Sequence, residues 1–191
     1  MEIITSTTLL MSEGEVMQLL NIDNHDLTEK EYEEVIYRKT AILISSACEI
    51  GAILGNANNS QREQLKNYGL YIGMAFQIID DLIDYLSAES GKDLGKDFAE
   101  GKVTLPIIYT LQVATPEEKE KIKSLLKKTN PSTEDFYTIF KIIQHYKGFE
   151  KTKKKAKYYI NLAKNSLNSL PDNKYKNALL FPSEYLLERK K

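Results

Sequence analysis

The stretch 61–88, QREQLKNYGLYIGMAFQIIDDLIDYLSA, decides the fold. Its apolar residues Leu70, Ile72, Met74, Ile78, Ile79, Leu82, Ile83 and Leu86 recur at helical spacing and reach nearly every side of the helix they predict. A helix apolar all round belongs at the centre of a bundle, not on its surface. One polar stripe interrupts it. Gln77, Asp80, Asp81 and Asp84 are spaced by three and four and so share a face, which Gly73 and Phe76 extend by a turn.

Outward from this helix the pattern stays helical, with no convincing alternating strand. Thr28 with Glu31 predicts the start of a long helix over about 29–54, and Ser60 with Glu63 the start of the central one. Thr115, Pro116 and Glu118 open another, with proline at the favoured first position. Ser132 or Thr133 opens a fourth, and Pro171 separates the last two. In the helix 32–54, the small residues Ser45, Ser46, Ala47, Gly51, Ala52 and Gly55 permit close approach of a neighbour. Residues 87–101 read as a loop rich in Gly, Lys and Asp. The expected architecture is an all-α antiparallel helical bundle in one domain, 1–191, with one elaborate loop.

Composition narrows the function. With 26 Lys+Arg against 27 Asp+Glu, the chain lacks the basic excess of a nucleic-acid binder, so no nucleic acid is expected as partner. A single cysteine, Cys48, excludes a disulfide framework and fits a reducing, cytoplasmic setting. The first residues, Met1 to Met11, lack the basic leader and cleavage site of a signal peptide. No apolar run reaches the ~20 residues of a transmembrane segment; the best, 40–54, is broken by Ser45, Ser46 and Glu49.

The stripe carries the chemistry. Several carboxylates on one buried face repel one another and lose hydration, unless cations meet them. A hard divalent cation removes both objections, and Mg²⁺ prefers carboxylate oxygens while sharing its remaining positions with water and phosphate. Asp80, Asp81 and Asp84 are therefore candidate metal ligands. The alternative, a solvated acidic face, is outweighed by the apolar character of the rest of the helix. Downstream, GKDLGKDFAEGK at 91–102 places Lys92, Lys96 and Lys102 on glycine-jointed backbone, a spacing that suits a diphosphate. Taken alone, that loop reads as a solvated turn. Lys39 lies in line with Tyr32, Val35, Ile36, Leu43 and Ala47 on the apolar side of its helix; it either snorkels outward or meets an anion.

The segment FQIIDDLID at 76–84 resembles the second aspartate-rich motif of the trans-type polyprenyl (isoprenyl) diphosphate synthases. GKDLGKDFAEGKVTLP at 91–106 is similar to the family segment just C-terminal to that motif, and MSEGEV at 11–16, YRKTA at 37–41 and the end LPDNKYKNALLFPSEYLLERKK also resemble family blocks. They are most like those of the bacterial long-chain, octaprenyl-type members. The resemblance implies the isoprenoid-synthase bundle around a deep apolar cavity. It implies condensation of isopentenyl diphosphate onto an allylic diphosphate, helped by Mg²⁺. By motif match Asp80 is the principal metal ligand, with Asp81 and Asp84 in support. Lys39, Lys92 and Lys102 contact the allylic diphosphate, and Thr40 and Gln77 sit beside the reacting carbon. Gln18 is expected in the same pocket.

Within these residues the family's first aspartate-rich motif, its paired arginine, and the basic residues and histidine that hold isopentenyl diphosphate have no match. His25 and His145 read as surface residues and Cys48 as a small core residue. The expectation is a C-terminal portion whose N-terminal helices are missing, inactive alone, forming a homodimer or associating with the missing half. A non-catalytic partner or regulatory subunit of a complete synthase is the alternative.

Overall fold

The computed structural model describes residues 1–22, 24–88 and 95–189, except the side chains of Ser87, Ala88 and Leu187. Among these residues every regular element is helical: α1 (Glu2–Leu20), α2 (Glu29–Ile36), a π-helical turn (Tyr37–Ala41), α3 (Ile42–Leu54), α4 (Asn59–Ala88), α5 (Lys96–Ala99), α6 (Leu105–Val113), α7 (Pro116–Leu126), α8 (Thr133–His145), α9 (Gly148–Ser166) and α10 (Lys174–Glu188). As its all-round apolar pattern requires, α4 runs through the centre, packed between α3 and α9. Ala75, Ile78 and Tyr85 are fully buried in it.

The capping signals explain where most helices start. Thr28 and Glu31 form a reciprocal capping box, with Thr28 N–H donating to Glu31 Oε2 at 2.8 Å and Glu31 N–H to Thr28 Oγ1 at 3.2 Å. Thr115 caps α7 ahead of Pro116, and Ser132 pairs with Asp135 at the start of α8. The start of α4 differs from expectation. Asn58 and Gln61 exchange the capping bonds, at 2.9 and 3.1 Å, so the helix begins before Ser60. The asparagine amide oxygen caps as well as a serine hydroxyl, and the first competent pair in the run sets the boundary.

The long helix predicted over 29–54 is not uniform. It is α-helical to Ile36, π-helical through Tyr37-Arg38-Lys39-Thr40-Ala41, and α-helical again from Ile42. Two glycines pinch that turn. A Cβ on Gly14 of α1 would lie 2.6 Å from Lys39 N, and one on Gly73 of α4 would lie 2.5 Å from Ala41 Cα. Gly69 sits just as closely on the Ile44 carbonyl and Ser45. Small residues thus allow close packing of α3, but not all those expected take part. Ser45 meets Gly69, Ser46 shares a 2.6 Å hydrogen bond with Thr7, and Gly51 faces open space.

The segment 87–101 also departs from a plain loop, because α5 forms inside it. Phe98 anchors that short helix, 1% exposed and edge-on to Phe136 at 5.9 Å. His145 is exposed as expected, whereas His25 is only half-exposed. Cys48 is partly buried against the core, where loss of hydration pushes its thiol above the usual range. No helix among the described residues is long and apolar enough to cross a membrane.

Candidate active-site cleft

A cavity of about 450 Å³ opens between α1, α2, α4 and the loop 95–104. Gln18, Lys39, Gln77, Asp80, Asp81, Asp84 and Lys102 all line it, so four sequence-distant stretches converge on one space. Its apolar part comes from Ile22, Leu27, Val35, Ile36, Ile83 and Val103. Lys92 lies outside the described residues.

The three carboxylates of the stripe have different surroundings. Asp81 is 7% exposed, and both its oxygens are engaged: Tyr32 donates to Oδ2 at 2.5 Å and Gln77 Nε2 to Oδ1 at 2.8 Å. The string continues, because Thr40 donates to Gln77 Oε1 at 2.7 Å. Burial, then the nearby Asp97 carboxylate, push the Asp81 carboxyl up to about 7, against the lowering effect of its two donors. Asp84 accepts the backbone N–H groups of Lys96 and Asp97, each at 3.0 Å. Burial and Asp97 raise its pKa too. Asp80 is 47% exposed, with Arg189 at 3.2 Å; the Arg189 guanidinium lies over the Phe76 ring at 5.4 Å.

The cations are held in readiness by carboxylates and amides. Lys39 Nζ donates to Gln18 Oε1 at 2.8 Å and lies 3.3 Å from Glu15, so of the two readings of this lysine it turns toward the cleft and a polar partner. The π turn re-aims Lys39 relative to a regular helix, a common use of such turns at functional sites. Lys102 Nζ contacts Asp97 at 3.0 Å and Glu100 at 2.7 Å. Burial works against its charge, but these two acceptors outweigh that and raise its pKa.

Among the described residues no three His, Cys, Asp or Glu side chains converge to hold a metal ion by themselves. The donor chemistry nevertheless fits Mg²⁺ shared with a phosphate-bearing ligand: hard carboxylate oxygens on one wall, ammonium groups on the others, and room between them. Tyr32, Asp97 and Arg189 were not legible as site residues, whereas Lys96, one of the three lysines whose spacing suits a diphosphate, does line the cavity. Tyr32 read as one more apolar position, and Asp97 as part of a solvated turn. Nothing local marks Arg189, which reaches α4 from the far end of the chain.

The family model for Polyprenyl synthetase matches residues 1–143. The chain belongs to this family. Octaprenyl diphosphate synthase of Escherichia coli (strain K12) is 32% identical over 191 residues, which cover 99% of this chain and 59% of that protein. Heptaprenyl diphosphate synthase component 2 of Bacillus subtilis (strain 168) is 32% identical over 190 residues, 98% of this chain and 53% of that protein. The crystal structure of a decaprenyl diphosphate synthase from Rhodobacter capsulatus superposes with a TM-score of 0.94 at 36% identity, covering 100% of this chain and 59% of that one. A polyprenyl synthase from Caulobacter crescentus CB15, complexed with calcium and isoprenyl diphosphate, gives 0.92 at 32% identity, with 100% and 58% covered. The chain therefore spans less than two thirds of the length of these relatives.

Proposed function

We propose that this chain forms one wall of a prenyltransferase site that condenses isopentenyl diphosphate onto an allylic diphosphate to make a polyprenyl diphosphate. One observation carries the reading: a family-matched chain in which Asp80, Lys39, Lys102 and Gln77 line one cavity, with Thr40 bonded to Gln77 from behind that lining. Asp80 is the carboxylate placed to hold Mg²⁺, which when bound would supply positive charge to the departing diphosphate. Lys39 and Lys102 exchange their present partners for diphosphate oxygens, and Lys92 joins them by motif. The Gln77 amide oxygen, oriented by Thr40, offers a dipole to a carbon that gains cationic character. Leu27, Val35, Ile36 and Ile83 keep water from it.

The wall is one-sided, since these residues contain no first aspartate-rich motif. The purified chain alone is expected not to elongate a prenyl chain. The test is incorporation of radiolabelled isopentenyl diphosphate, Mg²⁺ present, with and without the segment of a relative that carries the first motif. Incorporation only in the mixture supports the reading; incorporation by the chain alone overturns its one-sidedness, and none in either overturns the catalytic assignment. A second reading, a non-catalytic partner of a complete synthase, has the relative named component 2 in its favour. It predicts that adding the chain changes a complete synthase's rate while Asp80→Asn in the chain changes nothing. The setting we infer is cytoplasmic.

A further inference from the structure

We infer that Asp84 is a positioning residue: its carboxylate holds the loop that carries Lys102 in place, and it does not ligate the metal. The inference deepens the diphosphate reading of the cleft and rests on it. Both Asp84 oxygens are already used, Oδ1 by the Lys96 N–H and Oδ2 by the Asp97 N–H, each at 3.0 Å. These are the first free amides of α5, and a carboxylate there makes two charge-assisted bonds that a neutral cap would not match. The contact is close-fitted. A Cβ on Gly95 would lie 3.1 Å from Asp84 Oδ2 and 2.8 Å from Phe136, so the loop backbone rests directly on the carboxylate and the aromatic core.

From that anchor the path to the cation is short. The Asp97 carboxylate accepts from Lys102 Nζ at 3.0 Å, and the Lys102 N–H donates to the Asp97 carbonyl at 2.9 Å. Phe98, buried between them, keeps α5 from swinging away. Asp84 thus fixes the start of α5, α5 fixes Asp97, and Asp97 aims Lys102 into the cleft. Asp80 contrasts with it. That side chain is 47% exposed at the cleft, and its partner is the side-chain guanidinium of Arg189 at 3.2 Å, not backbone amides.

The test compares Asp84→Ala, Asp84→Asn, Lys102→Ala and Asp80→Asn in the full chain. Inorganic pyrophosphate binding is measured by calorimetry across a Mg²⁺ titration, and amide exchange at Lys96 and Asp97 by NMR without metal. Asp84→Ala should weaken pyrophosphate about tenfold. It should leave the Mg²⁺ midpoint where it is in the wild type and expose the two amides to exchange. Combined with Lys102→Ala it should add little, because the two act as a unit. Asp80→Asn should instead raise the Mg²⁺ midpoint by at least about tenfold, with the amides still protected. Should Asp84→Ala fail to fold, Asp84→Asn carries the same comparison with one acceptor kept. An Asp84 variant that shifts the Mg²⁺ midpoint as Asp80→Asn does, or leaves both amides protected, overturns the role. A wild-type chain that takes no pyrophosphate at all overturns the reading of the cleft, and the role falls with it.

Discussion

Asp80 and Asp81 are neighbours in the chain and opposites in their surroundings. Asp81 is sealed by Tyr32 and Gln77, while Asp80 is half-exposed at the cleft beside Arg189. The stronger effect on catalysis is therefore expected at Asp80. With the first-motif segment supplied, Asp80→Asn should lower turnover about 10²–10³-fold, roughly 3–4 kcal/mol, the typical loss for one well-placed electrostatic group. Isopentenyl diphosphate binding should change little, since the interaction acts on charge that develops in the transition state. Steady-state kinetics at several Mg²⁺ concentrations check this, and excess Mg²⁺ should recover part of the rate. Near-normal turnover at limiting Mg²⁺ would return the stripe to the solvated-face reading. Glu49→Gln is the control. Glu49 is 7% exposed and bound by Arg62 and Lys66 between α3 and α4, so replacing it removes a buried carboxylate's ion pairs with two half-exposed cations; stability should fall and turnover stay as it is.

At the scale of elements, the π turn depends on what presses against it. Gly14→Ala and Gly73→Ala each place a methyl group into backbone of the turn. Each should cost about 1–3 kcal/mol, the usual range for overpacking. Gly51→Ala is the opposite case: it lies in the interior of α3 with nothing within 4 Å, so it should stabilise by about 0.5–1 kcal/mol. Urea unfolding of the three variants checks both signs. The start of α8 makes a pH prediction. Lys128, and after it the Ser132 backbone, holds the Asp135 carboxyl down at about 2. Because the folded pKa lies below the unfolded value of about 3.9, the stabilisation is fully present above pH ~4 and is lost as pH falls through about 2. Asp135→Asn should flatten that acid limb of the stability curve, measured by thermal unfolding between those two values; an unchanged limb would show that the box contributes nothing in solution.

For the whole molecule, α1 is the element that looks inside out. Its inward face carries the buried Thr7 and Gly14, while Leu9, Val16 and Leu20, which share the other face, are 60%, 55% and 77% exposed. Leu43 and Leu54 of α3 are exposed as well. Apolar area displayed in this way marks an interface. A second copy of the chain is the covering we propose. Sedimentation velocity should show concentration-dependent association, and Leu9→Lys with Val16→Lys should abolish it. A monomer at every concentration, with no binding of a hydrophobic dye, would remove this face from consideration as an interface.

The helical class, the central place of α4 and most helix starts were legible in residues 61–88 and in the capping pairs, because periodicity and capping are local physics acting over a few turns. So was the company kept by Gln77, Asp80, Asp81 and Asp84, since a helix puts every third and fourth residue on one face. What each does there was not local. The π turn at Lys39 sits where glycines from α1 and α4 close on it from two sides. Asp81 and Asp84 differ because Tyr32 comes from α2 to one, and the backbone of α5 to the other. Arg189 reaches Asp80 only when α10 packs back along α4. Spacing along one helix decided which side chains share a face; packing between helices decided what each of them meets there, because Tyr32 and the α5 amides reach Asp81 and Asp84 from other elements while Asp80 stays half-exposed at the cleft.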